Sequence, residues 1–569
     1  MRTLLSFLVP SVLLACGMDE DPDSTSPDPT SADSGSADSG EPGGDSGDPD
    51  VDGACPEGAV LGVETSTGCI LGEGAGAIEQ WLGVPYAEPP TGPLRFARTV
   101  PAAPWTAPRE ADAFGESCIQ WDSSGMQPVV AGDEDCLTLN VFRPEGTAPD
   151  AGLPILFFTH GGSYTSGAGS LESYALEPQL AERAIVVTHN YRLGAFGFLA
   201  HADLSDEDAA THGDGGSSGN QGLFDTLTAL QWVADNAAVM GGDPEQLMVF
   251  GESAGGVTTC ALLASPLAAG LFSSALIQSA GCGFLEWPLE DTTGTDYAFS
   301  AQGFGAYVTA ELGCAGAEGV SCLRELAPED ILDGVSGLDF TANVDGVFLP
   351  TPAREAFSLG AFNQVPVIAG FNENEGVMFS GALGIDTEEA LAEALTAVAE
   401  YQGLGDPTAL IKTYTSGAFG SPQKAYDAFY GDMVFSCPTR SFLDAVSVHV
   451  DTRGYFFSEA PDWLVHYAGF EEWGAFHSAE LPFVFGTTLQ YYTAPEQALS
   501  QVMQAAWVDA LTDSPAVEGV GAWPLLGAGG GISVDGGMFV EFNAEGSAVT
   551  SGVFQARCDL LASLGWQTY

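Results

Sequence analysis

Eight residues, Val249-Phe250-Gly251-Glu252-Ser253-Ala254-Gly255-Gly256, constrain this chain more than any other stretch. They hold a Gly-x-Ser-x-Gly core between an apolar, strand-like run (Leu247 to Phe250) and a helix-like segment (Val257 to Leu263). Strand, sharp turn and helix in that order are what a nucleophile elbow requires, with the serine hydroxyl presented at the top of a sheet. Gly251 and Gly255 carry no Cβ, so strand and helix can close around the turn. With 73 glycines in the chain the five-residue pattern recurs easily by chance. The flanking elements and the residues described below give it weight.

Around this centre the segments alternate. Leu153 to Thr159 and Ala184 to Thr188 are short apolar runs of buried-strand character. Leu223 to Ala237 has helical spacing of Leu223, Leu227, Leu230, Trp232 and Val233. Ala275 to Gln278 and Val365 to Ala369 read as further core strands. Strands interleaved with helices predict an α/β fold, a large, mostly parallel sheet covered on both faces and carrying long insertions. We expect one such domain over 54–569, with no internal linker.

The N-terminal end reads differently. Arg2, an apolar run from Leu4 to Leu14 and the ending Leu13-Leu14-Ala15-Cys16 form an export signal over 1–15, too short to span a bilayer. The ending resembles a bacterial lipobox, which implies lipidation of Cys16 and anchoring in the cell envelope. Residues 16–53 follow as a disordered acidic linker of Asp, Ser, Gly and Pro, with too little apolar surface to fold. Membrane contact is therefore expected only through a lipid at Cys16. The whole chain holds 77 acidic against 14 basic residues, a formal net charge of −63. Phosphate backbones would be repelled, which excludes nucleic acid as a partner. Solubility at high salt or avoidance of aggregation accounts for the acidity. Beyond Cys16 the ten cysteines form an even set with no Cys-x-x-Cys pair, which favours disulfides over a metal site.

Several ordered motifs then carry a family resemblance. Trp81-Leu82-Gly83-Val84-Pro85-Tyr86-Ala87-Glu88-Pro89-Pro90 with Gly92-Pro93-Leu94-Arg95-Phe96, and Glu134-Asp135-Cys136-Leu137-Thr138-Leu139-Asn140-Val141, resemble type-B carboxylesterases. So do Asn190-Tyr191-Arg192-Leu193-Gly194, Gly219-Asn220-Gln221-Gly222-Leu223 and Gly241-Gly242-Asp243-Pro244. The resemblance covers nearly all of residues 55–569. It implies the α/β-hydrolase fold of the carboxylesterase, cholinesterase and lipase group, and a serine esterase acting on small-molecule esters without cofactor or metal.

In that fold the order along the chain is Ser, then Asp or Glu, then His. Serine needs a base, and the base needs a partner that fixes its tautomer. The resemblance puts the acid at Glu375 in Gly370-Phe371-Asn372-Glu373-Asn374-Glu375-Gly376, with Glu373 a rival that composition cannot separate. It puts the base at His477 in Trp473-Gly474-Ala475-Phe476-His477-Ser478-Ala479-Glu480-Leu481-Pro482, ahead of His449 and His466. His160-Gly161-Gly162-Ser163 reads as an oxyanion loop, with the N–H of Ala254 as the second donor element. Ser163 stands where the family's commonest form has glycine, which puts bulky tertiary-alcohol esters in doubt. Glu252 and Ser279 resemble supporting residues of the site. The disulfides implied are Cys118–Cys136, Cys314–Cys322 and Cys437–Cys558; proximity suggests Cys55–Cys69, and Cys260 is left either free or paired with Cys282. Two other readings are a long-chain acylglycerol lipase and a non-catalytic adhesion protein of the same fold.

Overall fold

The computed structural model describes residues 54–122, 128–284, 287–290, 300–316, 318–462, 473–526 and 537–566. The export signal, the acidic linker, Cys16 and His466 lie outside the described residues. The molecule is organised on an 11-stranded sheet. In chain order its strands are β1 (Glu73–Ala75), β2 (Ile78–Pro85), β3 (Thr138–Pro144), β4 (Leu153–Thr159), β5 (Ile185–His189) and β6 (Gly242–Glu252). These are followed by β7 (Ser274–Gln278), β8 (Val367–Asn372), β9 (Thr452–Phe457), β10 (Met538–Phe542) and β11 (Ala548–Ser551). Across the sheet they stand in the order β1-β2-β3-β5-β4-β6-β7-β8-β9-β10-β11. The run from β5 to β10 is parallel, and the edge pairs are antiparallel.

Continuous apolar runs form these central strands because both faces are covered. Successive side chains alternate between two cores. Ile155, Phe157, Leu247, Val249, Ala275 and Ile277 enter one; Leu156, Phe158, Met248, Phe250 and Leu276 enter the other. That is the period-two geometry of a strand, and it fixes the register on both sides at once. Helix α1 (Gln221–Asn236) and helix α2 (Ala254–Ala264) cover the first face, and helix α3 (Ala494–Asp509) the second. A third apolar cluster lies in the helical insertion between β8 and β9, built on Leu391, Leu395, Tyr414, Phe429 and Met433.

The chain passes from β4 to β5 on one side and returns to place β6 on the other side of β4. Ligands of open α/β sheets bind beyond the strand C-termini at such a reversal. The loop from His160 leaves the end of β4, and Ser253 follows the end of β6. The architecture therefore brings two distant motifs to one place.

Five disulfides close the described part. Cys55–Cys69, Cys118–Cys136, Cys314–Cys322 and Cys437–Cys558 pair as anticipated, and the open question resolves as Cys260–Cys282. Among the described residues no helix is long and apolar enough to cross a membrane.

Candidate active site

Ser253 sits between β6 and α2 with φ 55° and ψ −123°. This is a sparsely populated conformation for a residue with a side chain, costing about 1–3 kcal/mol, and it persists only where its surroundings fix it. Here the Ser253 N–H donates to Gln278 O at 2.9 Å, which ties the turn to the end of β7. Close approach explains the neighbouring glycine. A β-carbon on Gly255 would stand 1.9 Å from Thr159 O, so α2 can begin directly against β4 only without one. Ala254 opens α2, and its N–H belongs to the unsatisfied positive end of that helix.

Against the elbow lies the loop after β4. A β-carbon on Gly161 would be 2.9 Å from Ser253 Cβ and 2.5 Å from Glu252 Oε2, so the loop and the elbow touch. Gly162 has φ 105°, and Ser163 and Tyr164 follow at 54° and 59°. The loop thus folds back tightly, with Gly162 O accepting from Thr165 N (2.9 Å) and Ser166 N (3.1 Å). Ser163 is exposed and adopts the left-handed conformation that glycine takes at less cost. His160 braces the loop. Its Nδ1 lies 2.7 Å from Gly161 O, and its ring stacks on Tyr191 at 4.5 Å. Burial pushes this imidazole down to about 4, so it stays neutral near pH 7.

His477 Nδ1 lies 2.6 Å from Glu375 Oε2, and both side chains are buried. The two loops are zipped together. Asn374 N donates to Ala475 O (2.9 Å), Ala475 N to Asn374 Oδ1 (3.0 Å) and Asn372 Nδ2 to Phe476 O (2.7 Å). Glu375 Oε1 accepts from Asn372 N at 2.7 Å, which leaves Oε2 aimed at the imidazole. The rival Glu373 is exposed. His449 instead approaches Ser358 O at 3.2 Å. Phe379 and Phe435 flank the His477 ring, with centroids 5.0 and 4.5 Å away.

The other nitrogen, His477 Nε2, is 3.1 Å from Glu252 Oε1. Burial raises the Glu252 carboxyl, whereas the charged form of His477 beside it favours its ionised form. Burial alone would lower the imidazole, but Glu252, Glu375 and Glu480 outweigh it and raise it to about 9. Only neutral His477 can accept a proton, so activity should rise with pH through this titration. Glu252→Gln removes one anion from the imidazolium. It should move the acid limb of the kcat/KM profile about one unit to lower pH, the scale of one close opposite charge. An unmoved limb would show that Glu252 does not set the basicity of His477.

Two residues correct the sequence reading. Ser279 Oγ is buried and makes no hydrogen bond among the described residues. Its backbone, at φ 50°, donates the Ser279 N–H to Gly370 O at 2.9 Å, which ties the end of β7 to β8. Glu480 was not singled out, yet it is fully buried. It accepts from Gln278 Nε2 at 2.9 Å and Asn372 Nδ2 at 2.6 Å, and burial followed by Glu375 pushes it up to about 7. The available signal was a lone acid in an apolar run, three residues after His477. Among the described residues no group of His, Cys, Asp and Glu is placed to hold a metal ion.

A strained serine at a strand–helix turn, a buried histidine–carboxylate pair and a tight glycine loop on a mixed α/β sheet together define the α/β-hydrolase class. The carboxylesterase family profile matches residues 59–560, and the chain belongs to that family. It is 32% identical over 475 residues to the para-nitrobenzyl esterase of Bacillus subtilis (strain 168), covering 81% of this chain and 92% of that one. It is 31% identical over 502 residues to human cocaine esterase, covering 81% and 85%. A solved PNB esterase structure superposes with TM-score 0.71 at 29% identity over 88% of this chain and 99% of the other. The protein is a serine carboxylic ester hydrolase.

Proposed function

We propose that Ser253, His477 and Glu375 form the catalytic triad of this esterase, and that it is a carboxylesterase of small esters and not a long-chain acylglycerol lipase. The observation that carries the triad is the buried His477–Glu375 pair, whose Nε2 lies 3.1 Å from Glu252, the residue directly before Ser253. In this reading Ser253 Oγ attacks the ester carbonyl while His477 Nε2 takes its proton. The N–H groups of Gly162, Ser163 and Ala254 receive the negative charge that develops on the carbonyl oxygen. Collapse expels the alcohol, protonated by His477. Water, deprotonated by the same nitrogen, then releases the acid from Ser253. Glu375 holds the tautomer and stabilises the imidazolium. Initial rates on p-nitrophenyl esters of increasing acyl length test the reading, with Ser253→Ala as control. Serine-dependent rates that peak at short chains are expected. A peak at long chains that climbs beyond the solubility limit would assign a lipase instead.

We further propose that the enzyme is an exported lipoprotein, tethered to the envelope through Cys16 by the 16–53 spacer. The apolar run ending in Leu13-Leu14-Ala15-Cys16, followed at once by the acidic spacer, supports this. Cys16→Ser should move the protein from the detergent phase of a two-phase extraction into the aqueous phase. An unchanged partition would remove the anchor.

A further inference from the structure

The loop that carries the proposed oxyanion donors is pinned at both ends by residues at and just beyond the end of β5. At its start the Tyr191 hydroxyl donates to His160 O at 2.9 Å. At its far end Gly169 N donates to Asn190 Oδ1 at 2.7 Å, and Gly169 O accepts from Thr188 Oγ1 at 2.6 Å. Between them Gly167, at φ 108°, lies directly against the working part of the loop. A β-carbon on it would stand 2.5 Å from His160 Nδ1 and 2.8 Å from Gly161 O. Gly161 O belongs to the same planar peptide unit as the Gly162 N–H, one of the proposed oxyanion donors. Whatever fixes that carbonyl therefore aims that N–H.

Gly167 is in turn held from outside the sheet. Gln120 Nε2 donates to Gly167 O at 2.9 Å, and Gly167 N donates to Gln120 Oε1 at 2.8 Å, so one side-chain amide closes a two-bond ring on one residue. The same Nε2 lies 3.0 Å from Cys118 O. Gln120 itself stands in a small hairpin, Gln120–Asp122 against Val129–Ala131, with Gln120 opposite Ala131. The Cys118–Cys136 disulfide closes the base of that hairpin.

We propose that Gln120 is a positioning residue for the oxyanion loop, transmitting the rigidity of the disulfide-closed hairpin through Gly167 to the Gly161–Gly162 peptide. This rests on the assignment of that peptide as an oxyanion donor. Loss of the clamp lets the donor drift, and small displacements of a preorganised donor act on the transition state far more than on bound ester.

The test uses Gln120→Leu and Gln120→Met, which keep bulk and remove the amide, beside Ser253→Ala. With p-nitrophenyl acetate, kcat should fall about tenfold and KM should stay within about twofold, within the range reached by misplaced groups. Inhibition by an alkyl trifluoromethyl ketone, which forms an oxyanion on the serine, should weaken by the same factor as kcat. Competitive inhibition by a simple alcohol should not change. An unchanged kcat in a folded variant, a loss confined to KM, or a fall in kcat with undiminished ketone affinity would each overturn the proposal. If one substitution prevents folding, the other decides. Retained hydrolysis in Ser253→Ala would instead strike down the catalytic reading beneath it, and is read separately.

Discussion

Ser253→Ala is expected to lower kcat on the order of 10⁶-fold while leaving the protein folded, the scale at which removal of a serine nucleophile acts. Alanine takes the φ 55° conformation at the same cost as serine, and the Ser253 N–H bond to Gln278 O is a backbone contact that survives. The melting temperature should therefore change little, and labelling by a fluorophosphonate should disappear. A folded variant that still hydrolyses p-nitrophenyl esters at the parental rate would place the nucleophile elsewhere.

Glu375→Gln should lower kcat by about 10⁴-fold, although it removes only one oxygen's charge and keeps the shape. Glu375 Oε1 faces the Asn372 N–H at 2.7 Å and Oε2 faces His477 Nδ1 at 2.6 Å. A glutamine has one acceptor for these two donors. If its NH₂ turns toward Asn372, two donors meet in a buried site. If it turns toward His477, Nδ1 must become the acceptor, and the proton moves to Nε2, where the base is needed. Either arrangement is costly, and the second disables catalysis directly. Rates across pH in single-turnover acylation would check this, and a loss below tenfold would argue against Glu375 as the orienting acid.

The elbow was legible because its chemistry is local: a strand, two glycines and a helix start lie within a dozen residues. The two-sided sheet was legible for the same reason, since buried parallel strands announce themselves as continuous apolar runs. Glu375 and Glu373 could not be told apart by composition, because burial separates them and burial depends on the histidine loop 102 residues away. Glu480 was invisible for a related reason. Its partners Gln278 and Asn372 lie 202 and 108 residues off, and only sheet closure makes a lone glutamate part of the site. The Cys260–Cys282 pair stayed open because connectivity among cysteines is a property of the folded chain.

The insertion between β8 and β9 builds a third apolar cluster together with Cys558 and Leu561 near the C-terminus. It also supplies Phe379 and Phe435, the rings against His477. Replacements inside that core alter the shape of the wall around the reacting ester without loosening the strands that carry the serine and its acid. Selectivity and reactivity are therefore separable quantities in this molecule. A library confined to 383–429 would reach that insertion first, because the helix beyond it carries Phe442, Leu443 and Val446 into the core of the sheet and Phe379 and Phe435 lie against His477.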